Sequence, residues 1–218
     1  MVILPTLGRP KQLARFIEAY HVTCASSPVA VFFDAADPSL PEYDKIDYPG
    51  NFIKVSVPAG TRLPEIQNLA FKHFPNRPWY GFVGDDCLPM TRDWDVLLAA
   101  ACKPMGIAWP DDGIQGEKLA THPFIDGDLV RLIGWITPPG FVQYYTDNVL
   151  TDIARDLNRA MYMPNIKLMH MHHINGMAEM DATYARSGSM EQDRDAYINF
   201  RTNVYPHLIE RLRLCSSM

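Results

Sequence analysis

The chain lacks any apolar run approaching the roughly 20 residues that a membrane-spanning helix needs. Its start, MVILPTLGRP, has neither a basic n-region nor a long hydrophobic stretch, so it reads as a first strand and not as a signal peptide. Cysteine is scarce and scattered: Cys24, Cys87, Cys102 and Cys215 form no CxxC pair. By spacing they make neither a zinc motif nor, in 218 residues, a disulfide framework. Free thiols in a reducing cytosol are expected, and with them a cytoplasmic location. A basic excess is also missing, since 20 Lys and Arg stand against 25 Asp and Glu, a net charge of −5 at pH 7. Proteins that track a phosphate backbone carry a basic stripe, whereas only short clusters such as Arg211 and Arg213 occur here. No extended nucleic-acid-binding surface is expected, although an acceptor touched locally is compatible with this charge. There is no internal repeat and no low-complexity linker.

What is present suits an ordinary globular domain, 47% hydrophobic and 21% charged. The length fits a single domain over residues 1–218. Val2–Leu4 is a short apolar run closed by Pro5. Pro10 then opens a helix that aligns Leu13, Phe16, Ile17 and Tyr20. Further strands are expected at Val29–Phe33, Phe52–Val57, Trp79–Val83 and Gly106–Trp109, with helices at Leu63–Phe74 and Trp94–Ala101 between them. That alternation points to an α/β fold with a mixed, mostly parallel sheet flanked by helices. Gly and Pro punctuate residues 110–140. After them a helix at Asn148–Ala160, a strand at Ile166–His172 and a C-terminal helical segment at Asp193–Leu214, interrupted near Pro206, are expected.

In parallel sheets, ligands bind beyond the carboxyl ends of the strands, and Asp34 and Asp85-Asp86 fall at two such ends. Two adjacent carboxylates raise one another's pKa unless a cation or donors offset them. A Mg²⁺ or Mn²⁺ ion bridging diphosphate oxygens is a common answer; a turn or helix cap is the plainer one. Late in the chain comes HMHH, in which His170 and His172 share a strand face and can join an acidic metal site.

These residues resemble the family 2-like glycosyltransferases of the GT-A fold over most of the chain, and most closely the short, stand-alone members, some of them in bacteriophage genomes. VILPTLGRP looks like the family's first strand and donor loop, VFFDAAD like the second strand, and YGFVGDDCLPMTRDWD like the strand bearing the DxD-type metal motif. TPPGFVQYYTDNVLTDIARDLN resembles the acceptor loop and base-bearing helix, and IKLMHMHH the strand whose histidine completes the metal site. Val83 departs from the pattern, standing where the family often has an acidic residue.

The resemblance implies a nucleotide-sugar-binding half, 1–110, and an acceptor-side half with a C-terminal helical segment, 111–218. It implies a nucleotide-sugar donor, UDP-linked by expectation, and Mn²⁺ or Mg²⁺ held by Asp86 with His172 or His170. Pro5, Thr6 and Asp34 would line the nucleoside pocket, Arg9 and Asp85 would hold the donor, and Asn68 would join them from the second helix. Asp147 is the candidate base for an inverting transfer, stabilised in its ionised form by a helix N-terminus. His122, Gly134, Trp135 and Tyr145, with Tyr144, would shape the acceptor wall. The acceptor hydroxyl would lie on a glycan, a modified nucleobase or a protein. For a phage-encoded chain, the cytoplasm would be the host's.

Two other readings compete. Gly60-Thr61-Arg62 is similar to the GTR of sugar nucleotidyltransferases, but there the motif follows the first strand, a place taken here by PTLGRP. A nucleotide-sugar-binding module without activity would keep the pocket and lose turnover.

Overall fold

The structure is a computed structural model and describes residues 1–185 and 190–216. The first half is β1 (Val2–Thr6), α1 (Pro10–Val22), β2 (Val29–Asp34), α2 (Leu40–Tyr43), β3 (Phe52–Val57), α3 (Leu63–His73), β4 (Trp79–Phe82), β5 (Cys87–Pro89), α4 (Trp94–Ala101) and β6 (Ile107–Asp111), the expected alternation with the short α2 and β5 added to it. Then come β7 (Phe124–Asp126), α5 (Gly127–Ile133), α6 (Thr146–Asp156), β8 (Ala160–His170), α7 (Ala182–Ala185), α8 (Met190–Asn199) and α9 (Tyr205–Ser216). One sheet runs β3-β2-β1-β4-β7-β6-β8-β5. Its first four strands are parallel, β7 runs antiparallel to both β4 and β6, and β6 pairs parallel with β8. This is a mixed, mostly parallel sheet flanked by helices, as expected.

β1 shows why the sheet is buried on both sides. Successive side chains of a strand point to opposite faces. Met1 and Ile3 join one core with Phe32, Tyr80, Trp109, Leu129 and Ile153. Val2 and Leu4 join the other with Phe16, Val31, Trp94 and Leu98. A strand covered by helices on both faces reads as a continuous apolar run, which VIL is. Among the described residues, no helix is long and apolar enough to cross a membrane.

The second half departs from expectation in three places, and the interruption near Pro206 takes a definite form. Residues 110–140 hold β7 and α5, neither of them foreseen. β7 has only three residues, and α5 is started by Asp126, whose carboxylate accepts the Asp128 N–H, and stopped at Gly134, φ 91°. The helix expected to reach Ala160 ends at Asp156, and Ala160 already opens β8. β8 ends at His170, so His172 lies past the strand and not on its face. The C-terminal interruption is a π-helical turn, Phe200–Val204, just ahead of Pro206 in α9. A proline near a helix start cannot donate to the turn before it, and widening that turn is one way to absorb the lost bond.

Candidate functional site

β2, β1 and β4 lie side by side and parallel, so Asp34, Thr6 and the segment after Phe82 reach the same edge of the sheet. There Thr6 Oγ1 donates to Asp85 Oδ2 at 2.8 Å. With that proton committed, the Tyr43 hydroxyl is the donor in its 3.0 Å contact with Thr6, while accepting the Arg9 N–H at 2.8 Å. The Arg9 guanidinium donates from Nη1 to Asp85 Oδ1 at 3.0 Å and lies 3.5 Å from Asp86 Oδ2. Its Nε and Nη2 grip Asp181 side-on at 2.7 and 2.9 Å, and its Cζ lies over the Tyr184 ring, 4.1 Å from the centroid. Tyr184 in turn donates to Asp86 Oδ2 at 2.8 Å, and His170 Nε2 stands 3.5 Å from that oxygen.

Three carboxylates therefore crowd one buried guanidinium. Burial pushes the Asp85 carboxyl up, Arg9 pulls it back and Asp86 pushes it up again, with a net rise. Burial acts upward on Asp86 as well, but the donors from His170, Tyr184 and Arg9 outweigh it and hold this carboxyl well below the usual range. The two adjacent aspartates are thus driven apart, one towards neutrality and one towards permanent charge. Gly84 leaves room for the Asp86 carboxylate, because a Cβ there would meet Asp86 Oδ1 at 2.5 Å. The pairing of β5 with β8 then fixes the turn from the other side, with Cys87 opposite His170 and the Met171 N–H on the Asp86 carbonyl.

This cluster forms part of the wall of a cavity of about 740 Å³, a size that suits a small-molecule ligand. Pro5, Thr6, Arg9, Asp34, Asp85 and Asp86 line it from the first half of the chain. His122, Tyr145, Asp147, His170 and His172 line it from the second. Asp34 also accepts the Ala36 and Gly60 N–H groups, each at 2.8 Å, tying the end of β2 to the loop after β3.

Asp147 sits in the first turn of α6, where the sequence suggested a helix terminus would favour its charge. Tyr145, at φ 63°, takes the cap position instead, and Asp147 accepts the N–H of Asn148 at 2.9 Å. Burial wins over that bond and pushes its carboxyl up to about 6. The loop before it hangs from Asp193 of α8, a fully buried carboxylate that accepts the N–H groups of Val142, Gln143 and Tyr144 at 2.7–2.8 Å. Tyr145 stacks on Tyr197 of the same helix, with centroids 5.2 Å apart. Neither Asp181 nor Asp193 was singled out in the sequence, where each reads as one more surface aspartate.

Three expected residues lie away from the cavity. Asn68 turns its amide to a neighbouring loop, donating to the Thr137 carbonyl at 2.8 Å and accepting from the Ile136 and Thr137 N–H groups at 2.9 and 3.1 Å. Gly134 ends α5, and Trp135 packs edge-on against Phe200 in the core. Asn68→Ala should therefore act on stability, at about 2–4 kcal/mol for backbone groups left unpaired. Denaturant titration should show the loss, while nucleotide affinity of the folded variant should stay unchanged.

No family model matches the chain, and neither does any curated protein. Solved structures do match. The chain is similar to TarS of S. aureus at TM-score 0.57 and 13% identity, over 78% of this chain, which spans 36% of that protein's length. A nucleotide-diphospho-sugar transferase from Desulfovibrio desulfuricans G20 matches at TM-score 0.55 and 11% identity, over 97% of this chain and 96% of that one. GalNAc-T7, solved with UDP, GalNAc and Mn²⁺, matches at TM-score 0.65 and 10% identity, over 91% of this chain and 47% of that one. At such identities the likeness is one of architecture: the chain has a GT-A-like fold.

Proposed function

We propose that this chain is a glycosyltransferase that moves a sugar from a nucleotide-diphosphate sugar, UDP-linked in the first instance, to an acceptor hydroxyl with inversion. The observation that carries the reading is the cavity itself, with an acid-rich cluster around Arg9 on one wall and a buried carboxyl titrating near neutrality, Asp147, on another. Asp85, Asp86 and Asp181 outnumber the one guanidinium they surround, and Asp86 Oδ2 and His170 Nε2 stand 3.5 Å apart. Oxygen and imidazole donors with excess negative charge fit a divalent cation. Asp86 with His170 or His172 would hold it, and Mn²⁺ or Mg²⁺ would supply charge stabilisation to the departing diphosphate.

The chain's own residues do the rest. Arg9 pairs with phosphate oxygens, and Pro5, Thr6 and Asp34 border the nucleoside. Asp147 accepts the proton of the acceptor hydroxyl as the new bond forms. A base titrating near 6 is matched to that task at neutral pH, being ionised yet still basic. His122 and Tyr145 border the acceptor.

A panel of nucleotide sugars incubated with the protein and Mn²⁺, reading released nucleotide, tests the reading. Slow hydrolysis of one donor that stops on chelation is the expected result. Cleavage of a nucleoside triphosphate with a sugar phosphate, and of no nucleotide sugar, would replace it with a nucleotidyltransferase.

A further inference from the structure

One group of ligand atoms stands together around a thiol, that of Cys87, which no step above uses. The antiparallel register of β5 on β8 sets Cys87 opposite His170, and the segment leading into β7 brings His122 against both. Cys87 Sγ is 3.2 Å from His122 Nε2, and the His122 and His170 rings stand edge to face with centroids 4.9 Å apart. One ligand atom from each of the three lies within 4.8 Å of the others. Asp86 closes the fourth side, with Oδ1 3.7 Å from Cys87 Sγ and Oδ2 3.5 Å from His170 Nε2.

A tetrahedral ion with metal–nitrogen bonds of about 2.0–2.1 Å and metal–sulfur bonds of about 2.3 Å spaces its ligand atoms roughly 3.3–3.6 Å apart. The Cys87–His122 edge of such a polyhedron is nearly in place, and either Asp86 oxygen is close to one further ligand atom. Cys87 and His122 close the inner side, both buried, while His170 reaches the cavity and gives an ion its way in.

We propose that Cys87, His122 and His170, with Asp86 at the open corner, form a binding site for a soft divalent ion of the zinc class. A thiolate ligand selects such an ion over Mg²⁺ or Mn²⁺, which prefer oxygen. On binding, the Cys87 S–H bond breaks, its proton leaves to solvent and the sulfur–metal bond forms, with no change of oxidation state. The inference does not rest on the transferase reading, though Asp86, His122 and His170 figure in both. In the sequence the cysteines showed no motif because the three ligands come from separate elements, 35 and 48 residues apart.

The test is a Co²⁺ titration of the chelator-treated full chain, followed by absorption. Strong visible bands of four-coordinate cobalt are expected, with a thiolate-to-cobalt charge-transfer band in the near ultraviolet. Zn²⁺ should bleach both, and Mg²⁺ in large excess should not. Cys87→Ser should remove the charge-transfer band. His122→Asn should weaken cobalt binding by at least the roughly 10–100-fold that even an outer-shell partner is worth. Should Cys87→Ser fail to fold, a chain with Cys24, Cys102 and Cys215 all changed to Ser must keep the band. Two outcomes overturn the inference: a weak six-coordinate spectrum with no charge-transfer band, or a band that survives in folded Cys87→Ser.

Discussion

Asp147→Asn is expected to lose activity and gain stability at once. If Asp147 is the general base, removing it costs about 10²–10⁴-fold in turnover. The remaining donor hydrolysis, which needs no acceptor base of the same kind, should fall less. Stability moves the other way. Burial raises this carboxyl from 3.8 to about 6, so the folded state holds an unfavourable charge at neutral pH. A rise of that size is worth roughly 1–3 kcal/mol. The sign follows from linkage. The folded pKa lies above the unfolded one, so the charge penalty is complete above about 6 and gone below about 3.8. The neutral variant should therefore melt above the wild type at pH 8, and the gap should close as pH falls through 6 towards 4. Wild-type turnover should drop through the same upper limit as the base takes up its proton. Thermal melts of both proteins across that range, beside a pH–rate profile, check all three expectations. A variant that is equally stable at every pH and still turns over would remove Asp147 from the mechanism.

Asp86→Asn should be the other large loss, at least about 10²-fold in donor cleavage, the usual scale for a group that stabilises developing charge. The cause would differ, since the deficit should appear as weakened cation binding. Asp86 holds its charge against burial because His170, Tyr184 and Arg9 all donate towards it. The amide keeps the shape but presents one oxygen and no charge. Calorimetric titration of Mn²⁺ in the presence of nucleotide should therefore lose most of its signal, while nucleotide alone still binds. Normal Mn²⁺ affinity in the variant would move the cation to other carboxylates, of which Asp85 and Asp181 are nearest.

The strands that end at the cavity were legible because each is an apolar run stopped by a polar residue: VIL before Thr6, VAVFF before Asp34, WYGF before Gly84-Asp85-Asp86. Ligand groups at such ends follow from parallel topology alone. β7 was not legible, since three residues, FID, carry too little periodicity to be told from loop. α5 was hidden in a stretch rich in glycine and proline, although Asp126 and Gly134 are ordinary helix start and stop signals in hindsight. Asn68 was placed with the donor by resemblance to the family's second helix, and nothing in the local sequence tells that its amide is taken by the loop at Thr137. Asp181 and Asp193 mark the opposite limit. Their partners are 172 and about 50 residues away, and nothing in the local sequence distinguishes either from a solvated aspartate.

If the donor's diphosphate pairs with Arg9 as proposed, the side-on grip of Arg9 on Asp181 means that it cannot simply add to this site. It would take the place of a carboxylate already seated on the guanidinium, so arrival of the donor would be an exchange of one anion for another. Ion pairs are neither gained nor lost at Arg9 in that swap, and its contribution to affinity is the difference between two good partners. Donor affinity would then depend only weakly on salt for so charged a ligand. The segment bearing Asp181 and Tyr184 would come free at the moment the site fills.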